Sequence, residues 1–69
     1  MTKSDLAFHV SQIILEARLS MGLSQKELAR RMKTHQPAIA RWENGSQLPS
    51  IESLMKIAFI SKRDLKISL

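Results

Sequence analysis

Between Gly22 and Gly45 the sequence is punctuated so tightly that it leaves room for two short helices and little else. Ser24-Gln25-Lys26-Glu27 reads as a capping box: the Ser24 hydroxyl accepts from the third backbone N–H, and the Glu27 side chain reaches back to the cap. Leu28, Ala29 and Met32 then form an apolar stripe at helical spacing, which predicts a helix over 25–32. Lys33-Thr34-His35 follows as a short turn, with Thr34 placed to cap the next helix. Pro37 falls in the first turn of that helix, where its missing N–H costs little. Ile39 and Trp42 share one face, and Asn44-Gly45 stops the helix, so the second unit runs over 35–43. With Leu28, Ala29, Met32, Ile39 and Trp42 facing inward, Gln36, Pro37, Ala38 and Arg41 are left on the outside.

The rest of the chain wraps this unit. Sixty-nine residues allow one domain, 1–69, and a chain this short hides about 60% of the surface its unfolded form exposes. Ser4 or Asp5 can cap a first helix over 5–20. Leu6, Val10, Ile13, Ala17 and Met21 recur at steps of three and four and are expected on its inner face. Gly22 ends it. Ser46–Ser50 reads as a loop, and Ser50 as the cap of a further helix whose Ile51, Leu54, Ile57 and Ala58 face inward. Glu52, in its first turn, suits the positive end of the helix dipole. The last six residues, Asp64-Leu65-Lys66-Ile67-Ser68-Leu69, alternate polar and apolar, as a half-buried strand does. A lone strand cannot satisfy its backbone, and no other strand is evident. Pairing with a second copy is the economical solution, which makes 61–69 a dimerisation tail with Leu65, Ile67 and Leu69 as its contacts. The expected architecture is therefore all-α: a compact four- to five-helix domain with a short strand-like C-terminal tail. No internal repeat or low-complexity stretch interrupts it.

Charge narrows the function classes. The formal net charge is +5, and its placement says more than its size. Lys26, Arg30, Arg31, Lys33 and Arg41 fall within sixteen residues opposed there by Glu27, whereas the first seventeen hold Lys3 against Asp5 and Glu16. Such a cluster on two adjacent helices attracts a polyanion; taken alone it could equally be a solvated helix face. There is no cysteine, so neither a disulfide framework nor a thiolate metal site is expected. His9 and His35 are isolated, with no carboxylate at ligand spacing, so no metal is expected. No Ser/His/Asp constellation emerges, and a pocket for a small-molecule ligand, cofactor or substrate is not expected in so small a chain. An enzyme is therefore not anticipated. No apolar run reaches a membrane span and the N-terminus does not read as a secretory signal, which points to a cytoplasmic protein. Phe8, Trp42 and Phe59 are few and read as core, which argues against stacking on single-stranded RNA. The four methionines read as packing.

The chain resembles the Xre family, the helix-turn-helix domains of phage repressors and Cro proteins. The resemblance rests on Gly22-Leu23-Ser24-Gln25-Lys26-Glu27-Leu28-Ala29, on Gln36-Pro37-Ala38-Ile39-Ala40-Arg41-Trp42-Glu43-Asn44-Gly45 and on Leu48-Pro49-Ser50, continuing through Leu54 to Ala58. It covers roughly 13–60. It implies a helix-turn-helix unit at 24–44 whose recognition helix, 35–43, reads double-stranded DNA as a homodimer, in the manner of a bacterial or phage-derived, nucleoid-associated repressor on a palindromic operator. Gln36, Pro37, Ala38 and Arg41 match base-reading positions. Gln25, Lys26, Lys33, Thr34, His35 and Asn44 would meet phosphates. Arg18 and Glu43 match an internal salt bridge. One departure stands out: Lys33 occupies a turn position where the family often has Gly, which implies strain of about 1 kcal/mol at a left-handed residue. The tail is similar to that of Xre-type antitoxins in toxin–antitoxin pairs, which implies, as an alternative, a protein that binds and neutralises a toxin and represses its own operon.

Overall fold

The computed structural model describes residues 2–65, which form four helices: α1 (Lys3–Ser20), α2 (Gln25–Met32), α3 (Gln36–Glu43) and α4 (Ile51–Leu65). Their starts follow from side-chain caps. Ser24 Oγ accepts the Glu27 N–H at 3.0 Å while the Glu27 carboxylate accepts the Ser24 N–H at 2.8 Å, so the predicted box opens α2. A second box opens α1. Thr2 Oγ1 accepts the Asp5 N–H at 3.1 Å, and Asp5 accepts from the Thr2 N–H and hydroxyl. The expected caps Ser4 and Asp5 therefore sit inside the first turn, and Asp5 is the return arm of the box. Ser50 opens α4, its hydroxyl accepting the Ser53 N–H at 3.1 Å.

The first three helices end alike. Gly22 (φ +70°), Lys33 (φ +58°) and Gly45 (φ +79°) each turn left-handed. The next residue then donates its N–H back across five positions: Leu23 to Arg18 at 3.1 Å, Thr34 to Ala29 at 2.9 Å and Ser46 to Arg41 at 3.1 Å. This is the Schellman closure, which satisfies carbonyls a helix end otherwise leaves bare. It also corrects the expected cap of α3. Thr34 is spent closing α2, so His35 takes the cap position, with no side-chain hydrogen bond, and α3 begins at Gln36.

Ile14, Leu28, Ala29, Met32, Ile39, Trp42 and Ile57 form the buried core, with Val10, Ala17, Met21, Leu23, Ala38, Leu54 and Ile60 packed around it. α3 rests on α1 and α2, and α4 crosses α1 with a lesser contact to α2. Phase is corrected in both long helices. Ile13 is 58% exposed and Ile14 fully buried, and Leu6 lies outside. The run Ile13-Ile14-Leu15 allows either phase, and packing selects Val10, Ile14, Ala17 and Met21. Ser11 joins that buried face, its hydroxyl donating to the Phe8 carbonyl at 2.7 Å, so its burial leaves no polar group unpaired. In α4, Ile57 is buried and Leu54 half-buried, but Ile51 and Ala58 are exposed. Of the aromatics only Trp42 is core; Phe8 and Phe59 are exposed, as is Met55.

The all-α architecture is as expected, with no strand among the described residues. Asp64 and Leu65, where alternation was expected to begin, close α4 instead. The steps of three and four from Leu54 through Ile57 and Ser61 to Leu65 continue a helical period that competes with the two-residue one. Ile67 and Leu69 lie outside the described residues. Among the described residues no helix is long and apolar enough to cross a membrane.

Candidate functional site

The turn between α2 and α3 decides what α3 can present. Lys33 in the left-handed region ends α2 abruptly, and His35 in extended conformation (φ −112°, ψ 145°) launches α3 on a new axis. Ile39 and Trp42 anchor the inner side of α3 in the core. Gln36, Pro37 and Arg41 consequently stand exposed on its outer side, and Ala38 is half-buried, partly packed against the core. A helix with polar and small groups on its free face, seated on a buried platform, has the dimensions to enter a groove about 12 Å wide.

A continuous chain of hydrogen bonds ties this face to α1 and α2. Glu43, at the end of α3, receives Arg18 of α1 through two N–H groups, Nε to Oε2 at 2.7 Å and Nη2 to Oε1 at 3.0 Å. The predicted salt bridge is therefore bidentate. The side chains are only 14% and 7% exposed for Arg18 and Glu43, and the third arm, Arg18 Nη1, donates to the Leu23 carbonyl at 2.9 Å. Donating to the Glu43 carboxylate holds the Arg18 guanidinium more firmly protonated than usual. Glu43 Oε1 also accepts from Gln25 Nε2 at 3.0 Å. Gln25 Oε1 in turn accepts from Gln36 Nε2 at 2.8 Å. Arg18, Glu43, Gln25 and Gln36 thus form one relay ending at the exposed surface. The resemblance implies docking for Gln25; in the structure its side chain also links the ion pair to α3. Contacts spanning 11 and 18 residues carry no periodic signal, so this link was invisible to spacing.

Around the relay, Lys26, Arg30, Arg31, Lys33, His35 and Asn44 are exposed and Thr34 is half-buried. Asn44 Oδ1 also accepts the Ser46 N–H at 2.8 Å, which holds the end of α3. The positive surplus belongs to α2, the turn and α3 because Glu43 is neutralised internally by Arg18, which leaves Glu27 to oppose Lys26, Arg30, Arg31, Lys33 and Arg41. Among the described residues no group of three His, Cys, Asp or Glu could hold a metal ion.

Two short helices joined across a left-handed turn, the second braced by the first and its outer face free, define a helix-turn-helix unit. A family model described as helix-turn-helix matches residues 14–58. Among curated proteins, a relative from Haemophilus influenzae named as an uncharacterized HTH-type transcriptional regulator is 34% identical over 55 residues. The match takes in 80% of this chain and 56% of the relative, so the chain spans little more than half of that protein's length. No solved structure gives a significant match. The chain belongs to the Xre-type helix-turn-helix family.

Proposed function

We propose that this chain is a sequence-specific regulator of transcription that binds double-stranded DNA, acting as a homodimeric repressor on a palindromic operator with α3 in the major groove. One observation carries the reading: α3 is held from beneath by Ile39 and Trp42 and from the side by the Arg18–Glu43–Gln25–Gln36 relay, while its outer face stays open. Gln36 suits adenine and Arg41 suits guanine, each by paired hydrogen bonds to the base edge, and Pro37 and Ala38 offer apolar contact to a thymine methyl. Lys26, Lys33, Thr34, His35 and Asn44, with Gln25 at the start of α2, would set register on phosphates. The similarity to a relative named as a transcriptional regulator supports the same reading.

A base-reading Arg41 makes a specific demand. Arg41→Ala should relax preference at one base pair per half-site and cost about 1–3 kcal/mol on the preferred duplex. Equal weakening on every sequence would mean that Arg41 meets only backbone.

A second reading, an antitoxin that also binds a toxin protein, is favoured by the apolar side chains α1 leaves exposed, Leu6, Phe8, Ile13 and Leu19. It predicts co-purification of a small basic partner that Phe8→Ser or Ile13→Ser releases without loss of DNA binding. Retention of that partner by both variants would remove α1 as its contact.

A further inference from the structure

We infer that Glu43 is a specificity-determining positioning residue: acting through Gln25, its carboxylate fixes which way round the Gln36 amide faces, and so which purine α3 reads. The inference rests on the proposed role of Gln36 and adds what governs it. The argument is one of hydrogen-bond polarity. An ionised carboxylate can only accept. Both Glu43 oxygens accept from the bidentate Arg18 guanidinium, which only donates. Gln25 must therefore turn its amide N–H toward Glu43, as it does at 3.0 Å. That leaves Gln25 Oε1 pointing at Gln36, and an oxygen can only receive. Gln36 accordingly gives one N–H to Gln25 at 2.8 Å.

What remains free on Gln36 is its carbonyl oxygen and its second N–H, side by side. Adenine presents an N6 donor beside an N7 acceptor in the major groove, and this edge is its complement. With the relay reversed, Gln25 would take one acceptor site of the Gln36 oxygen and leave both Gln36 N–H groups free. That pair fits guanine, whose O6 and N7 both accept. The choice between purines is thus set two side chains away, at a residue that does not itself face the groove: Glu43 is 7% exposed and engaged with Arg18 and Gln25.

The test is selection of duplexes from a randomised pool with the full-length wild type, Gln36→Ala, Glu43→Gln and Gln25→Met. Gln36→Ala identifies the base pair that Gln36 reads, as the one whose preference disappears. At that position the wild type should favour adenine over guanine by roughly 5- to 150-fold. Glu43→Gln is close in shape but can donate as well as accept. It should reduce that ratio to within about threefold of unity, with guanine rising, and leave the positions read by Arg41 unchanged. Gln25→Met severs the relay at a partly exposed helix start and should lower the adenine preference in the same way, on top of an even weakening on all sequences from its lost phosphate contact. Thermal melting of each variant separates loss of fold from loss of preference. If Glu43→Gln and Gln25→Met keep the adenine preference while binding weakens evenly across the site, Glu43 is only structural and the inference fails. If Gln36→Ala removes no preference, the base-reading role of Gln36 fails and the inference with it; if no duplex is enriched, the underlying DNA reading fails instead.

Discussion

Lys33 sits where the turn needs positive φ (58°), beside glycines that do the same work at positions 22 and 45. A side chain there costs of order 1 kcal/mol, offset in part by the smaller entropy lost relative to glycine. Its exposed ammonium is placed to meet a phosphate. The two effects separate in one variant. Lys33→Gly should stabilise the fold by up to about 0.5 kcal/mol in chemical denaturation. It should also weaken DNA binding and lower the slope of log affinity against log salt by about one. A stability gain with no change in the salt slope would leave Lys33 out of the docking set. The strain at this residue was legible through the family resemblance, because related turns often carry Gly where this chain has Lys33. The relay was not. Its partners Gln25 and Gln36 come together only after α2 and α3 have packed.

At the scale of elements, legibility followed locality. The boundaries of α2 and the end of α3 were plain because a capping box and an Asn-Gly stop act within four residues, whereas the start of α3 was not, because Thr34 is drawn into closing α2. The phases of α1 and α4 were not, because Ile13-Ile14-Leu15 and Ile57-Ala58-Phe59 each offer apolar residues on adjacent faces, and only tertiary packing chooses. An eight-residue helix is marginal alone, so α2 depends on its caps as well as its core. Glu27 is held below the usual carboxylate range, chiefly by the Ser24 N–H and then by its hydroxyl, with smaller help from Arg30 and Arg31. Asp5 is lowered in the same way by the Thr2 N–H and hydroxyl at α1. A pKa lowered by folding stabilises at neutral pH, and the contribution fades as pH falls from the ordinary carboxylate value through the lowered one. NMR titration should place the Glu27 carboxyl below a free glutamate. Glu27→Gln should flatten the loss of stability below about pH 5. An unshifted titration would show the box to be unoccupied in solution.

For the whole molecule, the proposed dimer brings two copies of α3 to major grooves about 34 Å apart. Besides the tail expected from sequence, α4 offers a candidate surface to join them. Ile51, Met55 and Phe59, four residues apart on α4, are 77%, 67% and 61% exposed. Glu52 and Lys56, paired at 3.4 Å, flank them. An antiparallel pairing of this stripe with a second copy would set each Ile51 against the other Phe59 and each Glu52 beside the other Lys56, a self-complementary contact. Met55→Glu should then shift sedimentation to monomer and abolish cooperative occupancy of a two-half-site duplex, while a single half-site still binds weakly. An unchanged dimer would place the contact elsewhere. The claim on which all of this depends is that α3 reads sequence. Its most direct measure is the affinity of the full chain for a duplex selected from a random pool, against a scrambled duplex of equal length, from about 50 to 200 mM salt. The account predicts that the selected duplex binds roughly a thousandfold tighter or more, with both affinities falling steeply as salt rises. Equal affinities, or binding indifferent to salt, would contradict it.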